Sequence, residues 1–167
     1  MGGRGVTGWV LYGCLVLGFA SALVAGVFQS FSDFVMAGLA RARPAGGIES
    51  MQQLNRTVYR SVFLAMLLLL VPLTIGFALF VVSTYDGSAS ALVIAASALY
   101  VTTVFGVTAI GNVPMNKQLD AMNADSEEAA TYWLTYVQRW TALNHVRTLG
   151  AAATAVLFLA ATVAIKM

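Results

Sequence analysis

The chain has 167 residues, of which 59% are hydrophobic and only 10% are charged, against roughly 25% charged residues in ordinary soluble domains. Its formal net charge is +2, and no basic run is interleaved with aromatic residues, which excludes a nucleic-acid-binding protein. The single cysteine, Cys14, excludes an intrachain disulfide and a thiolate metal cluster. Because the apolar residues form long runs, the composition predicts one integral membrane domain over residues 1–167.

Four stretches of the chain are long and apolar enough to cross a membrane, which takes about 20 residues of helix. They cover about residues 6–28, 58–82, 89–110 and 149–165. The N-terminal run resembles a secretory signal, but its hydrophobicity continues through Phe28, so we expect no cleavage. The second and third stretches are joined by a short turn and should be antiparallel neighbours. We therefore predict an all-α, integral membrane four-helix bundle with cytoplasmic helix extensions.

Lysine and arginine predict the orientation of this bundle. The side with the two longer loops carries seven of them, Arg41, Arg43, Arg56, Arg60, Lys117, Arg139 and Arg147. Only Arg4 and Lys166 lie on the other side. We expect a bacterial cytoplasmic membrane, with the longer loops in the cytoplasm and with both termini and the Asp86 turn outside.

Three local patterns predict where helices begin and end. Asp125 followed by Glu128 resembles a capping box, which predicts a helix of about 60 Å running through His145 into the last span. The second helix is expected to begin near Ile48, before its apolar stretch. Pro114 predicts that the third helix stops near Asn112, where capping and ligand orientation are both open roles for the asparagines.

Most amide and titratable side chains map to the cytoplasmic end. Helix ends require capping groups, so part of this clustering is forced. The opposite end has few such groups, and this asymmetry predicts a polar pocket that opens toward the cytoplasm. The residues concerned are Gln29, Asp33, Gln52, Asn55, Asn112, Asn116, Asn144, His145 and Arg147.

Two titratable residues in this group have open roles. Asp33 stands among large apolar residues, so it either pairs with Arg147 or His145 or lies in solvent at a helix end. His145 is the only histidine, which excludes a three-histidine zinc site and bis-histidine haem within one chain. It is either a general base or a hydrogen-bonded histidine at the membrane interface.

An aromatic and polar stripe precedes the last span. Steps of three and four residues place its members on one helix face. The stripe is either an aromatic belt at the membrane interface or a flat aromatic pocket with amide and guanidinium donors at its mouth. Its members are Trp133, Tyr136, Trp140, Asn144 and Arg147.

Small residues recur at four-residue spacing in the first and third helices. In the first helix one face carries Gly18, Ala22 and Gly26, and in the third helix one face carries Ala98, Thr102 and Gly106. Such spacing predicts close helix contact, and it is equally compatible with a homo-oligomer.

Several of these segments together resemble the anthrone oxygenase-like family of small four-helix membrane proteins, many bacterial members of which have no assigned function. The resemblance covers most of the chain. It rests on Phe31-Ser32-Asp33-Phe34 with Gly38-Leu39, Met51-Gln52 with Asn55, Asn112-x-Pro114-x-Asn116, and Trp133, Tyr136, Trp140 and Asn144-His145-x-Arg147.

The resemblance implies an oxidoreductase, a monooxygenase that converts an anthrone to an anthraquinone with dioxygen and without a cofactor. Deprotonation of the anthrone methylene would give a carbanion that reacts with dioxygen. In this interpretation His145 is the base, Asp33 orients its imidazole, and Arg147 stabilises the enolate oxygen. The residues expected to bind the substrate or its enolate are Asn55, Asn112, Asn116, Trp133, Tyr136, Trp140 and Asn144.

Other functions stay open on the sequence alone, as does enzymatic activity itself. One is a non-enzymatic membrane protein that binds a lipid or quinone or supports a partner complex. Another is a redox protein with a metal ion or haem held by His145 together with Asp33 or a second chain. A transporter is disfavoured because the spans hold almost no polar groups near the bilayer midplane.

Overall fold

A computed structural model of the protein describes the backbone of residues 2–85 and 87–166 and the side chains of residues 7–85 and 87–165. In that part of the chain four helices are long and apolar enough to cross a membrane, and no strand occurs. The all-α membrane bundle is thereby confirmed. The side chains of Arg4 and Lys166 and the Asp86 turn, on which the predicted orientation partly depends, lie outside the described residues.

The four spanning helices cover Thr7–Arg41, Val62–Thr84, Ser88–Asp120 and Glu127–Ile165. Three of these are longer than the predicted apolar stretches because helical backbone continues beyond the apolar residues at the polar end. In chain order the segments are α1 (Gly2–Ser30), a π-helical turn (Phe31–Val35), α2 (Met36–Arg41), α3 (Pro44–Thr57), a 3-10 turn (Val58–Arg60), α4 (Val62–Thr84), α5 (Ser88–Leu99), π-helical segments Tyr100–Gly106 and Thr108–Asn112, α6 (Val113–Asp120) and α7 (Glu127–Lys166).

The spanning helices form a closed ring. Helix α7 packs against α1 and α5, and α4 packs against the same two helices from the other side. This arrangement makes α4 and α5 neighbours, as predicted. Because α7 extends beyond its apolar stretch, it also contacts α2, α3 and α6 at the polar end.

Two apolar clusters hold the bundle together. The larger lies within the spanning helices and includes Leu67, Tyr100 and Phe158. Lipid is as apolar as these side chains, so close packing rather than exclusion of water stabilises this cluster. The smaller cluster, at the polar end, includes Met36 and Trp133. Where water is the alternative solvent, burial of one such side chain stabilises by about 1.5–3 kcal/mol.

The prediction that the second spanning helix begins near Ile48 is wrong. Ser61 interrupts the helical backbone, and the spanning helix begins after it, at Val62. Ser61 has an extended backbone, with φ −92° and ψ 147°. Its hydroxyl oxygen accepts a hydrogen bond from the Leu64 N–H at 3.1 Å and donates one to the Val58 carbonyl at 2.7 Å. The serine therefore closes the 3-10 turn and caps α4, and the helix around Ile48 is the separate helix α3.

The prediction that Pro114 ends the third helix is wrong. The helical backbone continues through α6 to Asp120, and Asn112, with φ −68° and ψ −39°, is not a C-terminal cap. Proline lacks the N–H that a regular α-helix needs, and its ring crowds the carbonyl four residues earlier. Here the π-helical turn directly before Val113 shifts the hydrogen-bond register, which accommodates the ring.

The long last helix is confirmed, but its predicted cap is not. Ser126, rather than Asp125, caps α7, since its hydroxyl accepts a hydrogen bond from the Ala129 N–H at 3.1 Å. The Asp125 N–H instead donates to the Asn123 side chain at 3.1 Å. Helix α7 then runs for 40 residues, about 60 Å at 1.5 Å per residue.

The small residues of the first and third spanning helices differ in their surroundings. Gly18 allows close contact with the last helix, since a Cβ there would lie 3.3 Å from the Phe158 Cβ. Ala22, Gly26 and Ala98 are exposed on the outer surface. Close helix contact is therefore confirmed at Gly18, and a homo-oligomer stays a prediction.

Substitution Gly47→Ala is expected to destabilise the polar end of the bundle. A Cβ at Gly47 would lie 2.6 Å from the Leu39 carbonyl oxygen and 3.1 Å from the Trp133 ring, so α3 would have to move. We expect the free energy of unfolding to fall by about 1–3 kcal/mol, measured by thermal unfolding in detergent.

The neighbouring substitution Gly46→Ala is the matched control, because nothing lies within 4 Å of a Cβ at that position. Alanine is favoured over glycine in a helix, so this variant should be unchanged or slightly more stable. Equal loss of stability in both variants would contradict the close approach of α3.

Candidate functional site

A cavity of about 130 Å³ lies at the polar end of the bundle, where the first, third and last spanning helices face the junction between α3 and α4. A cavity of about 150 Å³ accepts benzene, so the enclosed space is that of one aromatic ring. Leu54 and Tyr59 are the most exposed wall residues, at 38% and 65%, which places the opening at that junction. The apolar wall consists of Val27, Phe28, Phe31, Met51, Leu54, Val58, Tyr59, Phe63, Leu64, Leu67, Val113 and Trp140.

The polar side of the cavity carries three buried atoms without a hydrogen-bond partner. They are Asn55 Nδ2, which lies near the Tyr136 hydroxyl without meeting hydrogen-bond geometry, Asn112 Oδ1 and Arg147 Nε. All three residues line the cavity. A buried polar group left unpaired costs about 1–3 kcal/mol, and such groups are rare in folded proteins. These atoms are two unpaired donors and one unpaired acceptor, all on residues that line the cavity.

The guanidinium of Arg147 is buried, with the residue only 5% exposed. Its terminal nitrogens donate to Asn144 Oδ1 at 2.6 Å and to Thr108 Oγ1 at 3.3 Å. Its central carbon lies 4.3 Å from the centre of the Phe28 ring and 5.2 Å from that of Trp140. These rings attract the cation through their π faces, but every partner is electrically neutral.

Asn144 fixes this guanidinium from behind the cavity wall. Its Nδ2 donates to the Phe28 carbonyl at 2.7 Å and to the Ser32 hydroxyl at 2.6 Å. Both amide hydrogens are used, so the orientation of the amide is set and its oxygen is directed at Arg147. The Phe28 carbonyl that accepts one of these bonds lies three residues before the π-helical turn Phe31–Val35. A π-helical turn is wider than an α-helical one and alters the pairing of nearby carbonyls.

The aromatic stripe is divided between the cavity wall and its support. Trp133 stacks on Tyr136 with ring centres 5.5 Å apart, and Tyr136 stacks on Trp140 at 6.2 Å. The Tyr136 hydroxyl and Trp140 Nε1 both donate to Asn116 Oδ1 at 2.8 Å. Trp140 and Asn116 line the cavity, whereas Trp133 and Tyr136 pack behind them.

Asn112 is held in a similar way. It is completely buried, and its Nδ2 donates to the Trp140 carbonyl at 3.1 Å. This bond leaves the side-chain oxygen as the free group at the cavity. The π-helical segment Thr108–Asn112 contributes Thr108 and Asn112 to the same wall, and π-helical turns are frequent at functional sites.

Helix α3 is fixed by a side chain whose role the sequence did not reveal. Gln52 Nε2 donates to the Leu119 and Met122 carbonyls at 2.8 and 2.9 Å, at the C-terminal end of α6. Carbonyls at a helix end need such partners. Arg56 also pairs with Asp120 at 2.8 Å, but both side chains are partly exposed. These contacts place Asn55 in the cavity wall.

The structure does not bring His145 or Asp33 into this cavity. His145 is exposed and lines a separate surface depression beside Ser32 and Thr141. Asp33 is exposed, and within the described residues no ion pair reaches it. Arg147, which was one expected partner of Asp33, bonds to Asn144 instead. The described residues also hold no group of three or more His, Cys, Asp and Glu side chains that could bind a metal ion.

Two residues of the site were missed by the sequence analysis. Phe28 contacts Arg147 through its ring and Asn144 through its carbonyl. Thr108 accepts a hydrogen bond from Arg147 and donates one to the Val104 carbonyl at 2.7 Å. Thr108 precedes Asn112 by four residues and so shares its helix face, a spacing that was available from the sequence.

The chain matches a known protein family. The family described as anthrone oxygenase matches residues 55–157, more than half of the chain. No curated protein and no solved structure matches the chain. The matched region contains Asn55, Asn112, Asn116 and Arg147, the polar side of the cavity. The resemblance inferred from the sequence is confirmed, and the chain belongs to the anthrone oxygenase family.

Proposed function

We propose that the protein is a membrane oxygenase that binds a hydrophobic, anthrone-like aromatic substrate in this cavity and oxidises it with dioxygen. The observation that carries the proposal is the set of three unpartnered polar atoms, on Asn55, Asn112 and Arg147, in a mainly apolar cavity. Membership of the anthrone oxygenase family supports the reaction class. Because function belongs to a site rather than to a fold, the cavity has to account for the chemistry.

The cavity wall suits one ring of such a substrate. Phe28, Phe31 and Trp140 offer aromatic surface for stacking. Two donors, on Asn55 and Arg147, suit the ketone oxygen, and Asn112 Oδ1 suits a phenolic hydroxyl. Because the enclosed space is that of about one ring, the remaining rings would extend through the opening.

The proposed reaction needs dioxygen as its only oxidant. The anthrone methylene loses a proton, and the electron pair is delocalised onto the ketone oxygen. The carbanion reduces dioxygen while forming a C–O bond, and protonation gives a hydroperoxide. Loss of the second methylene hydrogen as a proton, with cleavage of the O–O bond, leaves a carbonyl and releases water. Anthrone and dioxygen thus yield anthraquinone and water without a redox cofactor.

Stabilisation of the enolate oxygen is the main contribution that we assign to the protein. Hydrogen-bond donors that are already in place where charge develops, in a site of low dielectric constant, lower the energy of a transition state more than most other catalytic effects. Arg147 and Asn55 have this role in the proposal. His145 lies outside the cavity wall, so in the proposal the methylene proton passes to solvent or buffer at the opening rather than to the imidazole.

We propose that the polar end faces the cytoplasm, since seven Lys and Arg residues lie on that side of the sequence. A hydrophobic substrate dissolved in the membrane would then reach the opening at the level where α4 begins. Tyr59 and Val62, which are 65% and 84% exposed there, give this region an apolar surface.

Replacement of Asn55 tests the proposed role of the cavity. We expect Asn55→Ala to lower the rate of dioxygen uptake with a phenolic anthrone by about 100-fold, the effect of losing one oxyanion donor. Uptake is measured with purified protein in detergent, above the spontaneous rate. Gln53→Ala, an exposed amide on the same helix, is the matched control. Full activity of Asn55→Ala would exclude Asn55 as a donor to the enolate oxygen.

Replacement of His145 separates the two assignments of the base. If the cavity groups act as proposed, His145→Ala should retain uptake within about twofold, because its side chain lies outside the cavity wall. A loss comparable to that of Asn55→Ala, in a variant that still folds, would instead support the histidine as general base.

A second candidate function is binding of a quinone head group without oxygenation. The enclosed volume, which suits a single ring, favours this alternative. Titration with a short-chain benzoquinone, followed by quenching of tryptophan fluorescence, measures such binding. Saturable binding together with no dioxygen uptake from any anthrone would favour this function over the oxygenase.

A further inference from the structure

The charge of Arg147 is not balanced by any side chain around it. Its hydrogen-bond partners are the neutral Asn144 and Thr108, and its ring contacts are Phe28 and Trp140. An ion pair is the usual partner of a buried guanidinium, since burial of an unpaired charge is expensive. One donor of this group, Nε, has no hydrogen-bond partner, and Arg147 lines the cavity.

The surrounding elements provide no anion within the described part of the chain. The titratable side chains in the cavity wall are Arg147 and Tyr59. Tyr136 lies behind the wall, where its hydroxyl donates to Asn116. The carboxylate of Asp33, on the first helix, is exposed. The carboxylate of Asp120, on α6, pairs with Arg56.

The identity of residue 144 is informative in this setting. An aspartate of nearly the same shape would have supplied the missing negative charge directly. The asparagine instead holds the guanidinium through a neutral oxygen, while its own hydrogens are bound by the Phe28 carbonyl and the Ser32 hydroxyl. The cation is therefore positioned but not neutralised.

We infer that the cavity binds acidic aromatic molecules as anions, as a phenolate or enolate whose oxygen becomes the counter-ion of Arg147. In this arrangement Asn144 is a positioning residue that keeps the guanidinium in place without neutralising it. The inference rests on the proposed function in one respect, that this cavity is the substrate site. It adds the ionisation state of the bound ligand, which requires no turnover to be measured.

The physical basis is the difference between a neutral and a charged ligand. A neutral ketone accepts a hydrogen bond from Arg147, whereas an anion also relieves the cost of the buried charge. Hydrogen bonds in which both partners are charged are shorter and roughly twice as strong as neutral ones. The cavity should therefore select the ionised form from a mixture of both.

Para-nitrophenol is a suitable probe, because only its phenolate absorbs strongly in the visible range and its single ring suits the enclosed space. The full-length protein in detergent is titrated at a pH at which most of the free phenol is protonated. We expect a saturable rise of the phenolate band above that in detergent alone. Para-nitroanisole, which cannot ionise, should bind at least about tenfold more weakly.

Two substitutions at the arginine test the role of its charge. Arg147→Met should lower the affinity for the phenolate by at least about tenfold and change the affinity for para-nitroanisole much less. Arg147→Lys retains the charge and should retain a phenolate band. Arg139→Met removes an exposed arginine of the same helix and is the matched control for net charge.

Substitution Asn144→Asp tests the positioning residue. It supplies a carboxylate beside Arg147, so it should lower the affinity for the phenolate by at least about tenfold while para-nitroanisole still binds. Retained binding of the anisole also shows that the variant is folded. Unchanged phenolate binding in Asn144→Asp or in Arg147→Met would overturn the inference, as would equal binding of the two probes by the native protein.

The failures of the two proposals can be told apart. Phenolate binding by a protein that consumes no dioxygen with an anthrone would overturn the oxygenase and leave this inference standing. Full dioxygen uptake by Arg147→Met would overturn both the inference for the substrate and the role of Arg147 in enolate stabilisation, and would leave the oxygenase activity itself standing.

Discussion

The buried guanidinium of Arg147 is the group around which the polar end of the bundle is organised. Three of the four spanning helices contribute to its surroundings: the first through Phe28, the third through Thr108, and the last through Trp140 and Asn144. A buried charge is stable only while its neighbours stay in contact with it, because a charge left in an apolar environment without polar partners is costly. One nitrogen of the group, Nε, is left without a hydrogen-bond partner in the protein.

Departures from regular helix geometry make these contacts possible. The π-helical turn at Phe31–Val35 lies next to the carbonyl that accepts the Asn144 amide, and the segment Thr108–Asn112 contributes two wall residues. One extra residue in a turn shifts the following side chains by about a quarter of a turn and alters carbonyl pairing. Polar groups can then enter a wall that a regular apolar helix would have filled with aliphatic side chains.

The sequence was sufficient for the spanning helices and for the end of the bundle that holds the polar residues, because long apolar runs and the positions of Asn, Gln and Arg are explicit in it. It was insufficient for the interior of the site. Asn144 and Arg147 were recognised as members of one helix face, but their bond depends on side-chain rotamers. The continuation past Pro114 and the cap at Ser61 depend on local backbone geometry that neighbouring helices select. His145 was singled out by its chemistry, and chemistry alone does not decide which side of α7 faces the cavity.

The position of α3 determines how accessible the cavity is. The exposed pair of Arg56 and Asp120 contributes little to this position, since surface ion pairs are worth about 0–1 kcal/mol. The buried bonds from Gln52 to the end of α6 and the close approach of Gly47 to α2 and α7 are stronger constraints. The 3-10 turn after α3 lacks such bonds, and it carries the exposed Tyr59 beside the opening. We therefore expect any adjustment of the opening to occur at residues 58–60 rather than in α3, which holds Asn55 in the cavity wall.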